Sequence, residues 1–112
     1  MKKLSANEDG WYCGWWNDSP LQIDYAQRKE LYKNECEHYH EDFFEYYLVV
    51  SGHIILKIDG QSHRINENEL CIVEPKERHE VIEVSGNCRY VTIKSKSYKG
   101  NKVMTQTATD SA

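Results

Sequence analysis

A chain of 112 residues has room for one folded domain and no second one. Six Leu, eight Ile, seven Val and two Phe make up only about a fifth of it, close to the composition at which chains stop folding, so the eight Tyr and three Trp must supply much of the bulk of any core. A formal charge of -4, from 14 basic and 18 acidic side chains, argues against a partner held by phosphate neutralisation, which excludes nucleic-acid binding.

Residues 1–10 are polar and are expected to be loose. Met1-Lys2-Lys3-Leu4 has the charge of a signal-peptide start, but Ser5, Asn7, Glu8, Asp9 and Gly10 follow where an apolar stretch belongs, so a cytoplasmic protein is expected. In that compartment Cys13, Cys36, Cys71 and Cys88, which include no CxxC pair, read as reduced thiols that pack as small hydrophobes. No run reaches the roughly 18 apolar residues of a membrane helix; the longest apolar region, Phe43 to Leu56, is broken by Glu45 and His53.

Ile and Val outnumber Leu and Ala by 15 to 10, and no helical face is visible, which predicts strands. They are expected at 21–25, 28–34, 36–41, 44–50, 53–59, 61–65, 70–74, 79–85 and 88–96. Ser51-Gly52, Asp59-Gly60 and Ser85-Gly86-Asn87 separate these runs, each with a Gly that supplies the positive φ of a tight turn. In the run from His53 to Asp59 the alternation puts Ile54, Leu56 and Ile58 on one face. The folded part is then 11–98, an all-β sandwich or barrel, followed by a flexible polar tail over 99–112.

The segment Glu35 to Glu45 holds three potential metal ligands within eight residues. On a strand, residues two apart share a face, so His38 and His40 can aim two imidazoles at one point. Glu45 has the opposite parity, and a bend in the four residues between would bring its carboxylate to the same side. A third imidazole comes from His79, just after the turn around Pro75. Imidazole and carboxylate ligands without thiolate favour Fe, Mn, Ni, Co or Zn, with coordination positions left open for substrate.

The spacing HxH, four residues, Glu, six residues and Gly, met by His38, His40, Glu45 and Gly52, resembles the first signature of the cupin superfamily, and Pro75 with His79 resembles the second. The resemblance spans about 36–90. It implies a small cupin barrel of the jelly-roll type, a divalent transition metal inside it held by His38, His40, Glu45 and His79, and commonly a homodimer. The chain departs from the pattern at Tyr32, Lys76 and the Asn68-Glu69 pair, where Gly, Gly and Gly-Asp are usual, and at Glu83, where Asn is usual. These departures touch loop shape and leave the ligand positions intact.

Two further residues are candidates for catalysis. Glu83 shares strand parity with His79 and would act as a general acid or base if it faced the cavity; an outward-facing Glu is the alternative. Tyr47 shares a face with Glu45 and would either donate a hydrogen bond to substrate or fill the core. His53 and His63 are expected at the surface, and Cys36 as buried filler. Trp11, Trp15 and Trp16 would either offer a stacking platform at one mouth of the barrel or close the core or an interface. The expected function is a metal-dependent enzyme acting on a small oxygen-rich molecule, as a dioxygenase or as an isomerase, lyase or decarboxylase of a sugar acid or keto acid. The alternative is a non-catalytic module whose metal helps bind a carbohydrate or small carboxylate.

Overall fold

A computed structural model describes residues 1–28 and 36–105. Among these residues ten strands run in chain order: β1 (Trp11–Cys13), β2 (Gln22–Arg28), β3 (His38–Tyr39), β4 (Glu45–Ser51), β5 (His53–Ile58), β6 (Gln61–Asn66), β7 (Leu70–Val73), β8 (His79–Val84), β9 (Cys88–Lys94) and β10 (Val103–Met104). They form two five-stranded antiparallel sheets, β1-β2-β9-β4-β7 and β10-β3-β8-β5-β6, the jelly-roll arrangement of a small barrel. Among the described residues the only helical element is a single 3-10 turn, Trp15–Asn17.

Alternation selects what enters the barrel. On β4, Glu45, Tyr47 and Val49 are buried while Leu48 and Val50 face out. On β5, Ile54 and Leu56 are fully buried, as the sequence pattern predicts. The apolar residues Val49, Ile54, Leu56, Ile65, Val81 and Cys88 belong to one cluster that fills one end of the barrel. The same strands carry polar inward residues toward the other end. Cross-strand register sets Gln22 beside Lys94, Lys94 beside Glu45 and Glu45 beside Val73, and the next inward row is Asp24, Thr92, Tyr47 and Cys71.

Most expected strands are present, with three differences. The run 36–41 contributes only His38–Tyr39, because the chain bends at residues 41 and 42. Apart from Arg28, the expected strand 28–34 lies outside the described residues. Two short strands, β1 and β10, lie where none was expected. The polar tail expected to be flexible from 99 onward is fastened to the barrel as far as Thr105: Val103 pairs with Tyr39, Met104 with His38, and the Thr105 amide donates to the Glu37 carbonyl. Backbone hydrogen bonding to an open sheet edge needs no apolar side chains, so polar composition conceals it.

Candidate metal centre and its cavity

His38 lies on β3 and faces His79, its register partner at the start of β8. His40 follows β3 directly. The bend at residues 41 and 42 resets the inward phase, as the spacing required, so that Phe43 and Glu45 are both buried. Phe43 stacks on the His40 ring with centroids 4.3 Å apart. On the other side, the turn after Pro75 is anchored by the Lys76 amide, which donates to the His40 carbonyl at 2.7 Å. Lys76 takes this turn at φ 69°, and Asn68 takes its own at φ 66°, so both loops keep a left-handed backbone without the usual Gly.

One donor atom from each of His38, His40, Glu45 and His79 lies within 4.8 Å of all the others, and all four residues are buried. Each imidazole is oriented from behind by a backbone carbonyl: His38 Nδ1 by Cys36 at 3.0 Å, His40 Nδ1 by Asn101 at 2.8 Å and His79 Nδ1 by Glu77 at 2.9 Å. A carbonyl only accepts, which assigns the hydrogen to Nδ1 and leaves Nε2 as the ligand nitrogen. The Nε2 atoms of His40 and His79 both face Glu45 Oε1, at 2.9 and 3.0 Å. Two lone-pair nitrogens against one carboxylate oxygen repel unless a proton or a cation lies between them. The N/O donor set, its closeness and its fixed tautomers therefore fit a divalent transition metal.

The charges agree. Burial opposes the Glu45 carboxylate, but hydrogen bonds from His40 and His79 and the charge of Lys94 hold its pKa well below the usual range. Burial likewise opposes a charged His79, yet the hydrogen bond and charge of Glu45 raise its pKa. His38 is pushed down to about 3 by burial and by the neighbouring His79, so it is neutral and ready to ligate.

The cluster opens onto a cavity of about 610 Å3. Tyr47 both belongs to the buried core cluster and lines this cavity, with its ring edge-on to His79 at 6.2 Å. Trp11, Trp15 and Trp16 line its mouth, with Trp16 5.4 Å from Trp11 and 5.8 Å from Trp15 between centroids. The Trp15 amide is held by Ser97 Oγ at 2.8 Å.

Glu83 does not reach the cavity. Register shifts between Ile55 and Leu56, which face Glu83 and Val81, so a bulge at Ile82 reverses the phase of β8. The Glu83 side chain is 62% exposed and contacts His53 Nε2 at 3.3 Å on the outside of the barrel. His53 is half-buried and His63 exposed. Cys36 is half-buried and serves the site through its carbonyl.

The sequence reading missed Gln22, Asp24, Thr92 and Lys94, all of which line the cavity. Lys94 had a signal: it shares parity with Cys88 and Tyr90 on a run read as a strand. Parity does not say which face is inward, and a lone Lys reads as solvated.

Residues 32–94 match the family model described as Cupin domain. Among curated protein sequences none matches. Among solved structures, Streptomyces Pac13, described as a nucleoside dehydratase, superposes with a TM-score of 0.74 at 14% identity, covering 99% of this chain and 96% of its own. A Pac13 variant of the same TM-score was solved with uridine. KdgF from Halomonas sp. gives a TM-score of 0.63 at 13% identity, with 87% of this chain and 90% of its own covered. A cupin protein from Bacteroides fragilis gives 0.61 at 16% identity over 97% and 92%. At these identities the likeness is one of fold.

Proposed function

Because the chain belongs to the cupin family and carries a complete His, His, Glu and His donor set, we propose that it is a metal-dependent enzyme acting on a small polyhydroxylated molecule by proton transfer, as a lyase or isomerase. The observation that carries this reading is the set of three imidazoles locked by backbone carbonyls around Glu45, which reaches through His38 and Glu45 the wall of a cavity large enough for a small substrate. A divalent metal bound there would supply Lewis acidity toward a substrate carbonyl or hydroxyl oxygen.

The chain's own groups favour proton chemistry over oxygenation. Asp24 and Lys94 line the same cavity as Glu45 and Tyr47, so acids and bases of opposite charge surround the bound substrate. In a loss of water, a carboxylate takes the proton from carbon, the C–O bond breaks, and the departing hydroxyl takes a proton from the Tyr47 phenol. The likeness of fold to a nucleoside dehydratase supports the same class.

The test is metal analysis of the purified protein, followed by assays for water loss and for O2 uptake on polyhydroxylated carbonyl compounds. Stoichiometric metal with product formation and no O2 uptake is expected. Metal-linked O2 uptake would make it a dioxygenase, and metal-dependent binding without turnover would make it a binding module. His40→Ala is expected to abolish metal binding in a folded barrel; retained metal stoichiometry would overturn the ligand assignment.

The homodimer implied by the family is proposed to form through the outer face of the β1-β2-β9-β4-β7 sheet. Leu48, Val50, Leu70 and Ile72 stand exposed there on two adjacent strands, and a second copy would cover them with the same patch. Light scattering is expected to give a dimer for the wild type and a monomer for Leu48→Glu.

A further inference from the structure

The cavity contains two oppositely charged groups whose bonding capacity the protein does not use. Lys94 is only 6% exposed, yet among the described residues its ammonium makes no hydrogen bond and no ion pair within 4.0 Å. Asp24, in the next inward row, uses one carboxylate oxygen to accept from Gln22 Nε2 at 3.0 Å, while Oδ1 is buried and has no partner. The charges of Glu45 and Asp24 offset that of Lys94 through space, but neither carboxylate comes within 4.0 Å of the ammonium to bond it. A fold keeps such a group where a ligand completes it.

Their neighbour Gln22 is already engaged on both of its polar atoms. Its Oε1 accepts from Ser97 Oγ at 3.2 Å and its Nε2 donates to Asp24 Oδ2 at 3.0 Å. What remains on the cavity wall is a three-proton cationic donor without an acceptor and, beside it, a carboxylate with one oxygen unused.

We infer that Lys94 and Asp24 form a recognition subsite for a small hydroxy acid, the substrate carboxylate accepting from Lys94 Nζ and a substrate hydroxyl donating to Asp24 Oδ1. This rests on the reading of the cavity as a substrate site and names the class of molecule it takes. A neutral polyol satisfies Asp24 but leaves the ammonium unmatched. A simple carboxylate without hydroxyls does the reverse.

The probe pair is gluconate and sorbitol, which differ in one carboxylate against one alcohol. All three tryptophans line the cavity, so their fluorescence reports binding directly. The wild type is expected to bind gluconate at least tenfold more tightly than sorbitol, in chelator-stripped as well as metal-loaded protein. Lys94→Met is expected to remove that preference, and Asp24→Asn to weaken both probes by a similar factor. Lys94→Gln provides a second variant should Met pack poorly. Equal binding of the two probes by the wild type, or a carboxylate preference that survives in both Lys94 variants, would overturn the inference. Loss of the metal reading alone would leave the preference of the stripped protein intact, so the two failures are distinguishable.

Discussion

The two ends of this barrel are built on the same strands and answer to opposite demands. On β4, Val49 is sealed among Ile54, Leu56 and Cys88, while Glu45, four residues earlier, faces two imidazoles and a lysine. The apolar end gains stability from burial and tight packing. At the other end burial works against the charged groups there, disfavouring ionised Asp24 and charged Lys94, and the arrangement makes sense as preparation for a bound cation and ligand. A truncation should therefore destabilise one end and leave the other unharmed or improved.

The largest effect is expected at Leu56, which is fully buried. Leu56→Ala should lose about 2–5 kcal/mol, read from the urea midpoint, through lost burial and a residual cavity. Gly52 follows: it turns β4 into β5 at φ 79°, and a Cβ there would strike the Ser85 hydroxyl that holds the His53 amide. Gly52→Ala should cost roughly 1–3 kcal/mol by the same measurement.

At the cavity end the sign reverses. Burial raises the Asp24 pKa above its value of 3.8 in the unfolded chain, so the folded state holds the proton more tightly and the ionised carboxylate costs stability above the folded pKa. Asp24→Asn should be more stable than the wild type at pH 7 by about 1 kcal/mol, a lower figure for an unsatisfied buried group. That gap should close as pH falls through the folded pKa toward 3.8, where the wild type recovers the cost by protonation. A gap that widens in acid would contradict the account. The smallest effect belongs to Lys76, whose left-handed backbone costs about 1–2 kcal/mol, against about 0.5–1 kcal/mol for the freedom of a Gly. Lys76→Gly should therefore gain about 0.5–1 kcal/mol net, visible as a small rise in Tm.

Much of this contrast was legible in the residues. Alternation at Ile54 and Leu56 marked a core face, the turn glycines marked strand ends, and the spacing of His38, His40, Glu45 and His79 marked the ligand set that the fold brings together. Glu83 was legible only up to its parity. One bulge at Ile82 moved it to the outer surface, because parity carries no information across an extra residue. Lys94 and Asp24 were not legible as a pair, since what unites them is register across β2, β9 and β4.

The sequence by itself determined the period of each strand, the places where the chain turns and the spacing of three of the four candidate ligands, His38, His40 and Glu45, because all of these depend on residues near one another in the chain. Only the tertiary structure decided which end of each strand is filled and which is open, that the polar stretch after residue 99 completes a sheet edge and fixes His40 through Asn101, and that a lysine and an aspartate line the same cavity as His38 and Glu45. Those outcomes depend on register between strands distant in sequence. Register is set by the sum of packing over both sheets, a quantity that no local pattern contains.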